Sequence, residues 1–379
     1  MRGNTGAGAG PHEYGSAGPG ANADADGADA DGAEADGGDG VAAGTVVLTG
    51  ATGFIGSHVA EALRARAGAA AGADRLRLRV VGRTLPEPGA GPAIEWVRAD
   101  LADPDSLRGV CRGARVLVHL ASRVGGDAES CEAVNVRGTA ALMAEARRAG
   151  VRRIVHLSTA AVYGRGPHRG ADVGELVPRP ASPASATRLA GERYALEAGG
   201  LVLRPGLVLG PGDRWVVPAY AELLARVPAR WGEADTRLSM VAVDDLARLI
   251  VTAALTPRAV PTGIQHAGHP EPVRLSGLLA ALVRHGVLPS LPGAEQGRPG
   301  AGPAGEGKRG QDRDQDWEWC LRRLEEVPGR VSARQFTLLA RDHWYRSDRV
   351  WRLAGCAPGA PVIERVGDWA DWYRRHLAR

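Results

Sequence analysis

The sequence has little lysine, no clustered cysteine and no long hydrophobic run, and each shortage excludes a class of protein. Lys308 is the single lysine among 379 residues, and no basic block is long, so we expect no nucleic-acid partner. The cysteines lie far apart without CxxC spacing, at Cys111, Cys131, Cys320 and Cys356, so we expect neither a disulfide framework nor a metal site. No run of about 18 apolar residues and no signal-peptide pattern occurs. We therefore expect no membrane association and a cytoplasmic location.

Large apolar side chains are also scarce in two segments. Residues 1–43 are mostly glycine, alanine and aspartate, and such a segment buries too little surface to offset its ordering entropy. We expect a disordered acidic tail there. Residues 289–315 are rich in glycine, proline, glutamine and charge, which predicts a flexible insertion.

Between these segments, short apolar runs alternate with helical patterns. The predicted strands are Thr45–Thr49, Leu76–Val81, Ile94–Ala99, Arg115–Leu120, Arg153–Leu157 and Leu201–Arg204, and the predicted helices are Phe54–Arg66, Val134–Ala149 and Ala184–Leu196. This alternation predicts an α/β fold with a Rossmann-type, doubly wound parallel sheet. After Gly206 the pattern loosens, with a strand at Leu238–Val243 and helices at Trp215–Ala225, Asp244–Ala254 (capped by an aspartate) and Asp368–Leu377. We therefore divide the chain into a Rossmann-type core, 44–206, and a smaller C-terminal region, 207–379, whose elements interleave with the core.

A glycine-rich turn links the first strand to the first helix. Gly50 permits a tight turn, Gly53 allows a pyrophosphate close to the backbone, and Gly56 lets helix and strand pack together. The free N–H groups at the helix start and the helix dipole attract phosphate. The turn therefore predicts a nicotinamide dinucleotide site that comprises Gly50, Thr52, Gly53, Phe54, Ile55 and Gly56.

The second strand ends without an acidic residue that would accept hydrogen bonds from a ribose 2′-hydroxyl. It ends in Val80-Val81-Gly82-Arg83-Thr84, and Arg83 can pair with a 2′-phosphate. We therefore favour NADP(H) as the cofactor. If Arg83 is only a solvated surface residue, NAD(H) remains possible.

The segment Thr49–Gly56, TGATGFIG, resembles the fingerprint of extended short-chain dehydrogenases/reductases, the NAD-dependent epimerase/dehydratase family. Its members include nucleotide-sugar epimerases, sugar dehydratases and ketone reductases. The resemblance continues in order to the C-terminus, apart from the predicted insertion. It implies that Asp100 and Leu101 flank the adenine and that Leu120, Ala121 and Ser122 follow the phosphate and ribose. It also implies that Pro205 lies beside the nicotinamide and that Thr159 takes the place of the catalytic Ser/Thr.

The chain departs from the family at its catalytic pair, Tyr-x-x-x-Lys. The tyrosine exchanges a proton with the substrate oxygen, and the lysine lowers the tyrosine pKa and binds the nicotinamide ribose. The register set by Leu189-Ala190-Gly191-Glu192 puts Ala184 at the tyrosine position and Arg188 at the lysine position. Arg188 keeps a charge and ribose donors, whereas Ala184 has no proton to give.

Three interpretations remain open. The first is an atypical ketoreductase for a small-molecule ketone, in which Thr159 binds the oxyanion; atypical reductases of aromatic polyketide pathways, in secondary metabolism, resemble this description. The second is a nucleotide-sugar epimerase or dehydratase with a displaced acid, for which Tyr163, Tyr194 and Tyr220 are candidates. The third is a non-catalytic dinucleotide sensor. Related proteins often form homodimers, which is also possible here.

Several other side chains have a structural interpretation. We expect Ser182 and Ser185 to cap a helix or form a turn and His119 to be buried. Aromatic side chains after residue 206 either pack in the core or offer a flat surface to an aromatic ligand; these are Trp215, Trp231, Trp317, Trp319 and Tyr345.

Overall fold

The computed structural model describes residues 44–69, 76–84, 94–227, 236–256, 262–289 and 317–378. These residues all belong to one compact unit, Gly40–Arg379. The predicted acidic tail, 1–43, and the predicted insertion from residue 290 onward lie outside the described residues.

A seven-stranded parallel sheet forms the centre of the unit, which confirms the predicted fold class. Its strand order is β3-β2-β1-β4-β5-β7-β11. The strands are β1 (Gly44–Thr49), β2 (Leu76–Gly82), β3 (Ile94–Arg98), β4 (Ala114–His119), β5 (Arg153–Leu157), β7 (Leu201–Arg204) and β11 (Gly263–His266). The order reverses direction between β1 and β4, and open α/β sheets bind ligands at the carboxyl ends of the strands beside such a reversal.

Helices cover both faces of this sheet, so its strands are apolar on both sides. In β1, Val46 and Leu48 face a core shared with α1 and α6, while Val47 faces a core shared with α3 and α4. A π-helical turn, Ala133–Gly138, joins α2 to α3. The helices of these layers are α1 (Phe54–Ala69), α2 (Ala128–Glu132), α3 (Thr139–Arg148), α4 (Pro183–Glu197) and α6 (Val243–Leu255).

The residues after Gly206 build a second core beside the carboxyl ends of the strands. Its centre includes Tyr220, Leu278 and Phe336. The helices are α5 (Val216–Arg226), α7 (Leu275–Arg284), α8 (317–326), α9 (Ala333–Ala340), α10 (Asp348–Ala354) and α11 (Val362–Leu377). Because β11 and α6 belong to the large sheet and its cover, residues on both sides of position 206 contribute to the Rossmann layers.

Two small sheets complete the fold. The two-stranded sheet pairs β8 (Leu207–Leu209) with β10 (Met240–Ala242). The four-stranded sheet has the order β12-β9-β13-β6, with β6 (His168–Ala171), β9 (Arg237–Leu238), β12 (Val273–Arg274) and β13 (His343–Tyr345). Because β6 lies in the first half of the chain, this sheet ties the two halves together.

Three predicted details after residue 206 are wrong. The strand Leu238–Val243 is divided into β9 and β10, and α11 begins at Val362 rather than at Asp368. The predicted aspartate cap of α6 is absent because its N-cap residue is Ala242, which offers no side-chain acceptor. Asp244 and Asp245 instead form ion pairs with Arg365 of α11.

Within the described residues, no helix is both long and apolar enough to cross a membrane. All four cysteines are buried.

Candidate functional site

The glycine turn lies at the carboxyl end of β1, beside the reversal of strand order. Gly50 has a φ of +78°, and a Cβ there would lie 2.6 Å from the Ala121 nitrogen. A Cβ on Gly56 would lie 1.9 Å from the Gly50 oxygen, which explains why strand and helix need a glycine at their contact. A Cβ on Gly53 would meet only the Gly50 oxygen, at 3.3 Å, within the fold. Gly53 therefore leaves its outer side open.

Helix α1 begins at Phe54, directly after this turn, and carries no acidic residue in its first turn. The first N–H groups of a helix have no intrahelical partner. With the positive end of the helix dipole, they form a site that fits the diphosphate of a dinucleotide. The local geometry therefore fits the cofactor that the sequence predicts.

A cavity of about 310 Å³ adjoins the turn, and we call it the turn cavity. Nine residues predicted to bind the cofactor line it: Gly50, Thr52, Gly53, Arg83, Asp100, Leu101, Leu120, Ala121 and Ser122. Arg83 is exposed at the end of β2, without an ion-pair partner among the described residues. Residues 85–93, which follow this strand end, lie outside the described part of the chain.

A larger cavity of about 490 Å³ lies next to it, and we call it the large cavity. Five more of the predicted site residues line it: Phe54, Ile55, Thr159, Arg188 and Pro205. Of the predicted site residues, Gly56 alone lines neither cavity. Ala184 also lines it. The structure thus brings the two predicted catalytic residues and the replaced tyrosine position to one cavity.

Thr159 follows β5 and caps a short 3-10 turn, Ala160–Tyr163. Its Oγ1 accepts a hydrogen bond from the Ala161 nitrogen at 3.1 Å. This contact uses a lone pair of the hydroxyl, so its proton stays available for a group in the large cavity.

Helix α4 positions Ala184 and Arg188. Ser182 and Ser185 form a reciprocal capping box at its start, which confirms their predicted structural role. Arg188 lies one turn after Ala184, and its Nη2 donates to the Ser158 oxygen at 2.5 Å and to the Leu157 oxygen at 3.2 Å.

The guanidinium of Arg188 is not fully satisfied by the protein. Its Nε is buried without a hydrogen-bond partner in the described part of the chain. Burial lowers the pKa of Arg188 to about 10, so it remains charged at neutral pH. Because Arg188 also lines the large cavity, its positive charge fits a ribose hydroxyl or a developing oxyanion there.

A buried polar network supports the strand end behind Thr159. Ser158 donates to Glu192, Glu192 pairs with Arg204 at 2.5 Å, and Arg204 Nη1 donates to the Tyr163 hydroxyl at 2.8 Å. The Tyr163 hydroxyl lies 2.7 Å from His266 Nε2, while His266 Nδ1 lies 3.2 Å from the Arg346 oxygen. The tautomer that satisfies both contacts makes Tyr163 the donor to His266.

None of the three tyrosines predicted as displaced acids lines the large cavity. Tyr163 belongs to the buried network, and Tyr220 is buried with its hydroxyl donating to the Leu339 oxygen. The Tyr194 hydroxyl accepts a hydrogen bond from Arg193. His119 is fully buried between Thr49 and Thr139, as predicted.

The other aromatic candidates separate into three groups. Trp215 and Tyr345 line the large cavity. Trp317 stacks on Phe336 with ring centroids 4.7 Å apart, and Trp319 is exposed. Trp231 lies outside the described residues.

The C-terminal region adds cavity residues that the sequence interpretation did not identify. His343 of β13 and Arg334 and Gln335 of α9 line the large cavity. No motif marks them, because β13 has only three residues and the helical pattern of α9 does not show which face it presents.

Comparisons with known proteins agree with this architecture. The model of the NAD dependent epimerase/dehydratase family matches residues 46–266. A 2-alkyl-3-oxoalkanoate reductase of Stenotrophomonas maltophilia is 28% identical over 343 residues, which are 84% of this chain and 96% of that protein. A UDP-glucose 4-epimerase of Mycolicibacterium smegmatis is 33% identical over 231 residues, 55% of this chain and 72% of that protein.

Among solved structures, MoeE5 in complex with UDP-glucuronic acid and NAD is similar, with a TM-score of 0.62 and 22% identity. The match covers 88% of this chain and 100% of that chain, and at this identity it shows the fold alone. The family model spans more than half of the sequence and includes the glycine turn, Thr159 and α4. The chain therefore belongs to the NAD dependent epimerase/dehydratase family, and it is an NAD(P)-dependent oxidoreductase.

Proposed function

We propose that this protein is an atypical ketoreductase that reduces a small-molecule ketone with NADPH. The observation that carries the proposal is the composition of the large cavity. More than half of its lining side chains are apolar, among them Phe54, Leu207, Trp215 and Leu238. A pocket with an apolar wall and few polar groups suits an apolar or aromatic ketone. In this proposal residues 207–379 supply about half of the cavity wall.

Two side chains stabilise charge at the reacting carbonyl. When bound, the dinucleotide supplies the hydride that the carbonyl carbon accepts. Thr159 donates its free proton in a hydrogen bond to the developing oxyanion, and Arg188 contributes a nearby positive charge. Arg188 itself lines the large cavity, where its guanidinium also binds the nicotinamide ribose.

The choice of NADPH rests on Arg83. Arg83 follows the last residue of β2, and its exposed side chain lines the turn cavity. A hydrogen bond to a charged group contributes about 1.5–3 kcal/mol. Arg83→Ala should therefore weaken NADPH binding by roughly 10- to 100-fold and leave NADH binding unchanged. Arg77→Ala is the matched control, since Arg77 is exposed on the same strand outside the cavity. Equal loss for both cofactors would contradict the assignment.

The second candidate is a nucleotide-sugar epimerase or dehydratase, supported by the similarity to a UDP-glucose 4-epimerase. An epimerase of this type should purify with bound NAD and interconvert a nucleotide sugar without net cofactor consumption. The proposed reductase should consume NADPH in step with alcohol formation. Assaying both reactions on the same preparation separates the two functions.

The test of the proposal is NADPH oxidation with a panel of ketones that begins with a 2-alkyl-3-oxoalkanoate. Removing one oxyanion donor typically lowers kcat by about 10²–10³-fold, so we expect that loss for Thr159→Ala and near-normal rates for Thr159→Ser. Thr252→Ala, a half-buried threonine of α6 away from the cavity, should behave like the wild type. No turnover of any ketone, or an unaffected Thr159→Ala variant, would contradict the proposal.

A further inference from the structure

β13 places two polar side chains against the large cavity. Successive residues of a strand point to opposite faces, so His343 and Tyr345 share one face. Both line the cavity, and both are buried, at 8% and 4% exposure. Trp344 between them lies on the other face, where it contacts Gly170 and Arg237.

The Tyr345 side chain is held in place by rings on three elements. Its ring centroid lies 5.2 Å from that of Tyr163, 5.0 Å from that of His266 and 5.7 Å from that of His168. Ser239 Oγ fixes its backbone by accepting from the Tyr345 nitrogen at 2.9 Å. A ring packed in this way presents its hydroxyl in one position without a large entropy cost on substrate binding.

The Tyr345 hydroxyl is available from the cavity. It makes no hydrogen bond with any described residue, and it is not among the unpartnered polar atoms that are sealed from solvent. Its residue lines the large cavity, so the hydroxyl opens onto the space that also contains Thr159 and Ala184.

The other hydroxyls near this space are occupied. Ser182 and Ser185 are bound to each other and to the backbone in the cap of α4. Tyr163 donates to His266, and Ser158 donates to Glu192. Ser239, which also lines the cavity, donates to the backbone oxygen of Tyr345 at 3.4 Å. Apart from Thr159, Tyr345 is thus the hydroxyl of the described cavity lining that has a proton to give.

We propose that Tyr345 is the general acid that replaces the tyrosine missing at position 184. This inference rests on the proposed reductase function. The carbonyl carbon gains the hydride supplied by NADPH, which is oxidised to NADP⁺, and the carbonyl oxygen takes the proton from the Tyr345 hydroxyl. The product is the alcohol, and the resulting tyrosinate regains a proton from solvent that enters the cavity after product release.

The residues around Tyr345 keep its hydroxyl protonated at neutral pH. Burial raises the pKa of Tyr345 above its ordinary value, with a smaller opposing effect from Arg204. Burial lowers the pKa of His266 to about 4 and also lowers the pKa values of His168 and His343, so these facing rings are neutral. The charge of Arg204 is paired with Glu192. We therefore expect kcat/KM to show no ionisation of Tyr345 between about pH 7 and pH 9.

Tyr345→Phe tests the role because it keeps the ring and removes the proton. Loss of general acid catalysis typically lowers the reaction rate by about 10²–10⁴-fold, so kcat should fall by that factor. The KM for the ketone should change little, and calorimetry should give an unchanged Kd for NADPH. Tyr194→Phe is the matched control, because its hydroxyl lies outside the cavity and contacts Arg193.

A rescue variant separates catalysis from structure. Ala184→Tyr in the Tyr345→Phe background returns a tyrosine to the family position, and we expect it to recover activity at least tenfold. A Tyr345→Phe rate within threefold of the wild type would overturn the role, as would a loss explained by weaker NADPH binding or a lower unfolding midpoint. If the wild type itself reduced no ketone, the proposed function would be wrong, and the role of Tyr345 would be wrong with it.

Discussion

The glycine turn supports a prediction that separates folding from cofactor binding. Gly53 and Gly56 lie in the same turn, but a Cβ would meet very different surroundings. On Gly56 it would lie 1.9 Å from the Gly50 oxygen, so strand and helix would have to move apart. On Gly53 the nearest contact within the fold is the Gly50 oxygen at 3.3 Å, which requires a shift of only a few tenths of an ångström, and Gly53 lines the turn cavity.

The magnitudes follow from overpacking, which costs typically about 1–3 kcal/mol. For Gly56→Ala this cost falls on the fold, so the free energy of unfolding should drop by about that amount and NADPH binding should weaken as well. For Gly53→Ala the cost falls on the complex. Its NADPH affinity should drop roughly 5- to 150-fold, while its free energy of unfolding should change by less than about 1 kcal/mol.

Calorimetric titration with NADPH and urea denaturation of both variants measure these two quantities independently. The reasoning would be refuted if Gly53→Ala bound NADPH as tightly as the wild type. In that case the outer side of the turn would not approach the diphosphate, and the dinucleotide would have to bind elsewhere.

Two further predictions concern buried charge. Glu192→Gln breaks an ion pair in which Glu192 and Arg204 are only 2% and 4% exposed. The free energy of unfolding in urea should therefore fall by about 3–5 kcal/mol. Glu197→Gln is the control because Glu197 belongs to an exposed ion pair, and it should lower the free energy of unfolding by less than about 1 kcal/mol. Burial lowers the pKa values of His119 and His266 to about 4 in the folded protein. In the unfolded protein these histidines take up a proton near pH 6.5, so the free energy of unfolding keeps its full value above about pH 6.5. As the pH falls from there toward 4, each histidine should lower the free energy of unfolding by about 1.4 kcal/mol per pH unit. A free energy of unfolding that stays constant between about pH 6.5 and pH 5 would contradict this burial.

The sequence was sufficient to predict the parallel sheet because its strands are buried on both faces. In β1 the alternate residues Val46 and Val47 enter different cores, and the resulting continuous apolar runs are easily distinguished from loops. Periodicity also located α4, and its cap at Ser182 fixed where it begins. The register of Ala184 and Arg188 on that helix came from the resemblance of Leu189-Ala190-Gly191-Glu192 to the family pattern.

The same reasoning from hydrophobic periodicity could not predict the wall of the large cavity. β9 and β12 have two residues each and β13 has three, so no alternation can be detected in them. Tyr345 and Thr159 line the same cavity, and β13, which contains Tyr345, pairs with β6 from a distant part of the chain. The aspartates at the start of α6 were mistaken for caps because their partner, Arg365, is also distant in sequence.

The central claim is that this chain transfers a hydride from NADPH to a ketone. The most direct measurement incubates the full-length protein with NADPH deuterated at the transferring position and with the ketone panel, and follows the label by mass spectrometry. We predict that deuterium appears on the carbinol carbon of the product, and that Thr159→Ala and Tyr345→Phe each slow its appearance. Tight binding of NADPH with no label transferred to any ketone would contradict the claim.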